Sequence, residues 1–301
     1  MTGATGFIGS RAVRALLAKN ADVVALQHRS ASTESSVDVI KGDLGTGDGF
    51  SELLQGARVL VHCASYIGDD ERLQERVNIT GTAHLVEAAE HAGVERIVYL
   101  STSAVYGGGI AGGTEDELLV APGSSLSASR RAAEQAVLRA GGVVVRPHAV
   151  VGAGDRWFLL SVLAATVRFN AWIEGGESRV SVANAAQVGD ALALLGMDED
   201  CPRGAVFHSG GPEPVRLRGL IEPVLRSAGC ALPTQTLSGD HLRRVADQYG
   251  ISRSQLAMVA QDNWFDARRL LSRYPQLAQT PELSASDIGW YVSALRASIE
   301  L

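Results

Sequence analysis

The sequence predicts an α/β fold with a doubly wound parallel sheet and a smaller C-terminal lobe. Short apolar runs rich in valine alternate with helical patterns through the first half of the 301-residue chain, which is typical of strand–helix–strand units. A second observation is the stretch TGATGFIG at residues 2–9, where three glycines spaced three apart come directly before a helical run. Together these patterns indicate a parallel sheet whose first turn binds a ligand at a helix N-terminus.

The glycines of this stretch have separate physical roles. Gly3 permits a tight turn, Gly6 lets backbone N–H groups approach a phosphate, and Gly9 lets the helix Ser10–Lys19 pack closely on a strand. This arrangement predicts a turn that binds the pyrophosphate of a dinucleotide, with an ordinary glycine-rich turn as the alternative. The expected cofactor contacts are Gly3, Thr5, Gly6, Phe7, Ile8 and Gly9. Only Met1 precedes the motif, so we expect either an upstream strand or a truncated central strand for which the sheet compensates.

Apolar runs farther along the chain predict the other strands of the sheet. They are Val23–Leu26, Val37–Ile40, Arg58–His62, Arg96–Leu100 and Val143–Arg146. Amphipathic patterns predict helices at Leu73–Gly93 and Ser129–Ala140. We therefore assign residues 1–155 to a dinucleotide-binding domain. Residues 156–301 are assigned mainly to a substrate-binding lobe, some segments of which return to the sheet.

Residues at the carboxyl ends of the strands line the ligand site of an open parallel sheet. The first run after the glycine turn ends in Gln27, His28 and Arg29, where a binder of NAD usually has an acidic residue for the ribose hydroxyls. Arginine suits a 2′-phosphate, so we expect NADPH/NADP at His28 and Arg29, with a solvated loop charge as the alternative for Arg29. Two later strand ends complete the expected cofactor contacts: Asp43 and Leu44 at the adenine, Ala64 and Ser65 at the ribose and nicotinamide.

The composition excludes several classes of function. A formal net charge of −6 without a basic stripe argues against a nucleic acid partner. The cysteines, Cys63, Cys201 and Cys230, lack the spacing of a disulfide framework or a zinc site, so we expect no metal and a cytoplasmic location. No apolar run approaches the roughly 20 residues of a membrane span, so we expect no membrane partner.

Two features of the later sequence have open interpretations. The tryptophans are Trp157, Trp172, Trp264 and Trp290. They could line an apolar pocket or fill the core of a small lobe. The glycine-rich segment Gly107–Gly113 and the acidic residues at 115–117 are expected to form a mobile surface loop.

Several motifs occur in a fixed order along the chain. They are TGATGFIG at 2–9, GDL at 42–44, NITGT at 78–82, STSAVYG at 101–107 and RPHAVVGAGD at 146–155. This set resembles the extended short-chain dehydrogenase/reductases, near their NAD-dependent epimerase/dehydratase and reductase branches. The resemblance implies a Rossmann-type fold and hydride transfer between a nicotinamide and a carbonyl or alcohol, with Ser or Thr, Tyr, Lys and often Asn as catalytic groups. It also places Pro147 among the cofactor contacts.

The catalytic pair of that family is missing here. Asn78 and Thr102 match the positions of the family asparagine and hydroxyl group, but the Tyr-x-x-x-Lys positions hold Leu126 and Arg130. Arginine can still donate hydrogen bonds to a ribose, so Arg130 remains an expected cofactor contact. Leucine, however, transfers no proton.

No shift of register recovers the pair. No tyrosine lies between Tyr106 and Tyr249, and the lysines of the chain are Lys19 and Lys41. The loss is therefore a property of the chain, and another group must supply the proton of any reduction.

Three proton sources stay open. A relocated protein acid is the first, with Tyr66, Tyr106 and His148 as candidates near the ligand edge. In the second, Thr102 or Ser103 polarises the carbonyl and water supplies the proton. In the third, which we prefer, the substrate is an aromatic ketone flanked by a phenol, and the phenol gives its proton to the forming alkoxide.

The sequence thus favours NADPH-dependent reduction of a polycyclic aromatic ketone of the polyketide, angucyclinone-like type, with Thr102 and Ser103 near the carbonyl. A non-catalytic sensor of NADP(H) is the main alternative, because it explains Leu126 without a further assumption. A nucleotide-sugar epimerase or dehydratase is weaker, since that chemistry uses the tyrosine as a base. The oligomeric state stays open.

Overall fold

The computed structural model describes residues 1–28, 35–245 and 259–299. Its strands are β1 (Val24–Gln27), β2 (Asp38–Lys41), β3 (Val59–His62), β4 (Arg96–Leu100), β5 (Val143–Pro147), β6 (Ala149–Val151), β7 (Ala171–Ile173), β8 (Arg179–Val180), β9 (Val182–Asn184), β10 (Val206–Ser209), β11 (Val215–Arg216) and β12 (Gln235–Leu237). Its α-helices are α1 (Gly9–Leu17), α2 (Phe50–Leu54), α3 (Glu71–Leu73), α4 (Thr82–His91), α5 (Ser125–Arg139), α6 (Leu159–Phe169), α7 (Ala185–Met197), α8 (Leu217–Ala228), α9 (Gly239–Val245), α10 (Arg268–Arg273) and α11 (Ala285–Ile299). A π-helical stretch, Gln74–Gly81, joins α3 to α4.

The central sheet is parallel, and its strand order confirms the predicted doubly wound fold. β1 pairs with β2, and β3, β4, β5 and β10 follow one another in a second group. Thr2 joins the groups, because it bridges Leu26 of β1 and His62 of β3. The amide of Thr2 donates to Val61 over 3.0 Å, and the amide of Leu26 donates to Met1 over 2.9 Å. The strand that carries the glycine turn is therefore represented by Met1 and Thr2.

A cavity of 580 Å³ lies beside Met1, and its walls include Val24 of β1 and Val59 of β3. The nitrogen of Met1 is buried there and donates to the carbonyl of Val24. Met1 and Thr2 thus hold β1 and β3 together in the sheet.

Apolar side chains of the strands alternate between two helical layers. Val98 belongs to the core under α1 and α7, whereas its neighbour Ile97 belongs to the core under α2, α4 and α5. α1 and α7 cross closely at Gly189, where a Cβ would come within 2.7 Å of the carbonyl carbon of Arg11. Both faces of the sheet are covered, as a parallel sheet requires.

The C-terminal lobe has its own core, built from α6, α8 and α11 around Trp172 and Tyr291. Segments of residues 156–301 also belong to the sheet, because β10 pairs with β5 and α7 covers one face. Asp155 fixes the lobe to the end of the sheet: it accepts the amides of residues 157–159 and the hydroxyl of Tyr291 at 2.8–2.9 Å.

The glycine-rich segment after β4 differs from the expected surface loop. The amide of Gly112 donates to Trp264 over 2.9 Å, and the amide of Trp264 donates to Ile110 over 2.8 Å. Gly112 permits this approach, since a Cβ there would lie 2.8 Å from the Trp264 ring. The carboxylate of Glu115 is buried and accepts the amide of His208 over 2.6 Å. The surface assignment of Glu115 was therefore wrong, because a β-type pairing draws the segment inward.

Candidate active site

The glycine turn has the geometry that each glycine was expected to provide. Gly3 has a φ of +70°, and a Cβ on it would lie 2.5 Å from the amide nitrogen of Ala64. A Cβ on Gly9 would lie 2.0 Å from the carbonyl oxygen of Gly3. At Gly6 the contact is with the same oxygen at 3.2 Å. Gly3 and Gly9 are thus required because a side chain at either position would clash with the backbone. Gly6 instead leaves the outer surface of the turn open to a ligand.

That surface fits a phosphate. Thr5 and Gly6 are exposed, and the amides of Phe7 and Ile8 donate to no group within the described part of the chain. They stand at the N-terminus of α1, whose first turn carries no acidic residue. Free amides and the positive end of a helix favour an anion. Arg11 holds the turn from behind through the carbonyl oxygens of Phe7 and Ala153, at 3.0 and 2.5 Å.

The adenine side of the site lies at the ends of β1 and β2. His28 and Lys41 line a cavity of 640 Å³ together with Asp43. Nε2 of His28 is 3.4 Å from a carboxylate oxygen of Asp43, and the other oxygen accepts the amide of Gly45 over 2.8 Å. Leu44 is buried. Arg29, the residue expected at a 2′-phosphate, lies outside the described residues.

The loop after β3 carries Ala64 and Ser65, and Asn78 holds it. The amide oxygen of Asn78 accepts the backbone N–H of Tyr66 over 2.7 Å and the Ser65 hydroxyl over 3.1 Å. The amide nitrogen of Asn78 donates to the carbonyl of Tyr66 over 2.8 Å and to the Ser129 hydroxyl over 2.9 Å. Asn78 is buried, and both its donors and both its acceptor positions are used.

Thr102 and Ser103 follow β4 but differ in surroundings. Oγ1 of Thr102 accepts the amide of Ala104 over 3.1 Å, and the side chain is partly exposed. Its hydroxyl hydrogen therefore remains available for another acceptor. Ser103 is buried, with its oxygen 2.9 Å from Nδ1 of His148. His148 packs on Phe265, and burial lowers the pKa of His148 to about 4.

The positions of the missing catalytic pair lie on α5. Leu126 is partly exposed in the first turn of this helix. Arg130 is buried; its Nε donates to the Tyr99 hydroxyl over 2.7 Å, and its Nη2 donates to the carbonyl of Leu100. Two of its nitrogens are thus directed at β4. Contact between Arg130 and a cofactor ribose stays a prediction.

Comparisons with known proteins agree with this geometry. The NAD dependent epimerase/dehydratase family matches residues 1–169. The chain belongs to this family. A ketoreductase of Stigmatella aurantiaca, acting on 4-hydroxy-2-methyl-3-oxo-4-farnesyl-3,4-dihydroquinoline-1-oxide, is 31% identical over 245 residues, which cover 76% of this chain and 72% of that one. A 3β-hydroxysteroid dehydrogenase/Δ5→4-isomerase of Mycobacterium tuberculosis is 27% identical over 335 aligned positions, covering 97% and 90%.

Solved structures of similar proteins extend over nearly the whole chain. MoeE5 in complex with UDP-glucuronic acid and NAD has a TM-score of 0.75 and 26% identity, and the match covers 99% of this chain and 98% of that one. These matches show that the chain is an extended short-chain oxidoreductase with a site for a nicotinamide dinucleotide. The Rossmann-type fold expected from the motifs is confirmed.

A buried polar network lies behind the site, and it was not predicted from the sequence. Arg146 donates to both carboxylate oxygens of Glu134, over 2.8 and 2.6 Å, and to the Tyr106 hydroxyl over 2.6 Å. Nδ1 of His208 is 2.9 Å from the carbonyl of Asp266, so it carries the proton, and Nε2 accepts from Tyr106 over 2.7 Å. A signal was present, because Arg146 ends a run of valines and Glu134 lies among the apolar positions of α5.

Three large apolar side chains are exposed on segments that follow strands. Ile67 follows β3, Leu119 follows β4, and Trp157 follows β6, with exposed fractions of 40%, 82% and 58%. We call these three side chains the apolar rim. They are candidates for contact with an apolar substrate.

Two features are absent from the described residues. None of the helices in these ranges is long and apolar enough to cross a bilayer. No cluster of three or more His, Cys, Asp or Glu residues suited to a metal ion occurs in the same ranges.

Proposed function

We propose that the protein is an NADPH-dependent ketoreductase that reduces a polycyclic aromatic ketone. One observation carries the proposal: the dinucleotide turn is complete, while α5 presents Leu126 and Arg130 at the catalytic positions. The chain thus retains the turn for cofactor binding but lacks the tyrosine that donates the proton in this family. The proposal also fits a resemblance to the angucyclinone ketoreductase of simocyclinone biosynthesis, a reductase-type member without the tyrosine, and so to a role in antibiotic biosynthesis.

The surroundings of the site support a large, flat and apolar substrate. The apolar rim provides Ile67, Leu119 and Trp157. Two relatives, named for a dihydroquinoline oxide and a steroid, act on fused-ring compounds. We infer that fused rings lie along the rim, with the ketone at Thr102.

The chain's own residues orient the reaction and stabilise charge. The nicotinamide, when bound, supplies the hydride. Thr102 offers its hydroxyl hydrogen to the carbonyl oxygen, because the Ala104 amide already occupies a lone pair of Oγ1. A fixed donor of this kind stabilises the developing alkoxide. Ser103, bonded to His148, reaches the carbonyl in this proposal only after that bond opens.

The proton of the reduction comes from the substrate. A phenol beside the ketone titrates near about 10, as tyrosine does, and it stands at hydrogen-bond distance in every bound molecule. Its proton moves to the oxygen of the former carbonyl as the hydride reaches carbon. Leu126 takes no part in proton transfer.

The cofactor preference follows from the charges at the adenine edge. His28 and Lys41 line one cavity there together with the carboxylates of Asp43 and Asp48, and Arg29 follows His28 in sequence. Cationic groups at a ribose favour the 2′-phosphate of NADPH. Dissociation constants for NADPH and NADH test this: Arg29→Ala and Lys41→Ala weaken NADPH binding alone, whereas equal losses for both cofactors count against a phosphate site.

The proposed function is tested by NADPH oxidation with a polycyclic ketone that carries a neighbouring phenol and with its O-methyl ether. We expect turnover of the phenol and a decrease in kcat of about 100-fold or more for the ether, since a positioned acid contributes about 10²–10⁴. Equal rates would exclude the phenol as the donor. NADPH binding without oxidation in the presence of the phenolic ketone would favour a non-catalytic sensor.

A further inference from the structure

Two of the three side chains that the sequence offers as a replacement acid are enclosed by the protein. The Tyr106 hydroxyl donates to His208 and accepts from Arg146, and it is buried. Nδ1 of His148 faces Ser103, its Nε2 is buried without a partner among the described residues, and its lowered pKa of about 4 leaves the ring uncharged at neutral pH. Neither group can give a proton to a ligand unless the side chains around it move.

Tyr66 is the third side chain, and its hydroxyl is free. It forms no hydrogen bond with the residues that the structure describes, and the side chain is partly exposed. Tyr66 belongs to the loop that leaves β3 at the carboxyl edge and continues to Ile67 of the apolar rim. A phenol is therefore available on the ligand side of the sheet.

Hydrogen bonds place the backbone of Tyr66 beside position 126. The Asn78 amide nitrogen donates both to the carbonyl of Tyr66 and to the hydroxyl of Ser129. The Ser129 hydroxyl in turn donates to the carbonyl of Leu126 over 2.8 Å. One side-chain amide and one hydroxyl thus connect the loop of Tyr66 to the helix turn from which the family tyrosine is missing.

The ring of Tyr66 also has a defined seat. Its hydroxyl lies over Gly68, where a Cβ would come within 2.3 Å of the phenol oxygen. The turn is held from below, because Gln74 donates to the carbonyl of Gly68 over 2.9 Å. Glycine at this position leaves room for the ring, and any side chain would displace it.

We propose that Tyr66 is a catalytic residue that contacts the substrate beside Leu126 and returns a proton to it. This inference rests on the proposed function. After the substrate phenol has given its proton to the alkoxide, the phenolate oxygen takes the proton of the Tyr66 hydroxyl. The tyrosinate then takes up a proton from the solvent, which reaches it because the side chain is partly exposed. The sum is ketone, NADPH and one solvent proton (H⁺) giving alcohol and NADP⁺.

The test is Tyr66→Phe, assayed with the phenol-bearing ketone. The ring remains, and no protein hydrogen bond is lost, so we expect unchanged melting and NADPH affinity but a kcat decreased about 10- to 100-fold. Gly68→Ala, which displaces the ring, should lower kcat in the same direction. Asp69→Asn, an exposed change in the same loop, is the control and should leave kcat unchanged.

The outcomes separate the two proposals. Wild-type turnover with an undiminished kcat in Tyr66→Phe would overturn the role of Tyr66 and leave the proposed function intact. Absence of turnover in the wild type would instead contradict the proposed function. A loss of NADPH affinity or melting temperature in Tyr66→Phe equal to the loss of kcat would show a structural role and would also overturn the inference.

Discussion

Asn78 holds Tyr66 by both of its backbone groups, accepting its N–H over 2.7 Å and donating to its carbonyl over 2.8 Å. With Ser65 and Ser129 as its other partners, Asn78 has no hydrogen-bonding capacity left for a water relay. In this chain the asparagine thus fixes a loop rather than passing a proton.

Asn78→Ala should therefore affect stability and turnover together. The change leaves buried polar groups of the loop and of α5 without partners, so we expect a loss of about 2–4 kcal/mol in the free energy of unfolding. The loop of Tyr66 also loses its position, which should lower kcat more than it raises KM. Urea denaturation and steady-state kinetics measure the two effects. An unchanged kcat in a folded Asn78→Ala protein would contradict the positioning role.

The buried pair of Glu134 and Arg146 should respond strongly to single changes. Both side chains are at most 3% exposed. Arg146→Met leaves a buried carboxylate without its main partner and should cost about 3–5 kcal/mol, whereas the double change Glu134→Leu with Arg146→Met should recover part of that loss.

An exposed ion pair provides the control for this effect. Arg58 and Glu95 pair at 3.0 Å with exposed fractions of 68% and 58%, so Arg58→Ala should change the denaturation midpoint far less than Arg146→Met, because solvent screens the exposed pair. If denaturation gives equal losses in the free energy of unfolding for Arg58→Ala and Arg146→Met, burial does not determine how much an ion pair contributes to stability.

The two later glycines of the turn should separate binding from folding. Gly6→Ala places a Cβ on the open surface near the Gly3 oxygen, at 3.2 Å, so NADPH affinity should fall about tenfold or more, or 1.4 kcal/mol, with little change in melting temperature. Gly9→Ala forces a Cβ to 2.0 Å from the same oxygen and should lower the melting temperature itself. Calorimetry and fluorescence titration check both. Identical behaviour of the two variants would refute the separation.

Two buried histidines should make stability depend on pH. Burial lowers the pKa of His62 to about 3 and that of His148 to about 4, so the unfolded chain binds more protons than the folded chain below about pH 6.5. Stability should therefore be complete above about pH 7 and decrease as pH falls toward about 4.

A change at His148 isolates part of this effect. Denaturation midpoints at about pH 7.5 and about pH 5 measure the loss of stability in the wild type and in His148→Asn, which should lose less because it lacks one of the two groups. An equal loss in both proteins would contradict the contribution of His148.

The sequence predicted the elements that depend on local pattern. Strand β4 has the predicted bounds, Arg96–Leu100, because an apolar run between two helices specifies a parallel strand directly. α5 begins at Ser125, four residues before the predicted start at Ser129, because Ser124 and Ser127 form a capping box. The apolar pattern on which the prediction was based does not include these polar residues. A capping box of this kind can be identified from the sequence.

Contacts between distant segments could not be read in the same way. The pairing of Ile110 and Gly112 with Trp264 joins residues far apart in sequence, and it alone explains why Glu115 is buried. The free hydroxyl of Tyr66 and the bonded, buried hydroxyl of Tyr106 likewise could not be distinguished from the sequence, because the partners of Tyr106 are brought to it only by the folded chain.

The contacts of Asp155 have a practical consequence for anyone who wishes to divide this protein. Its buried carboxylate accepts three backbone amides at the start of the C-terminal lobe and the hydroxyl of Tyr291 in α11. A fragment that ends near residue 155 would lack these donors and would leave the carboxylate without hydrogen bonds. The dinucleotide-binding half should therefore be produced together with the C-terminal lobe.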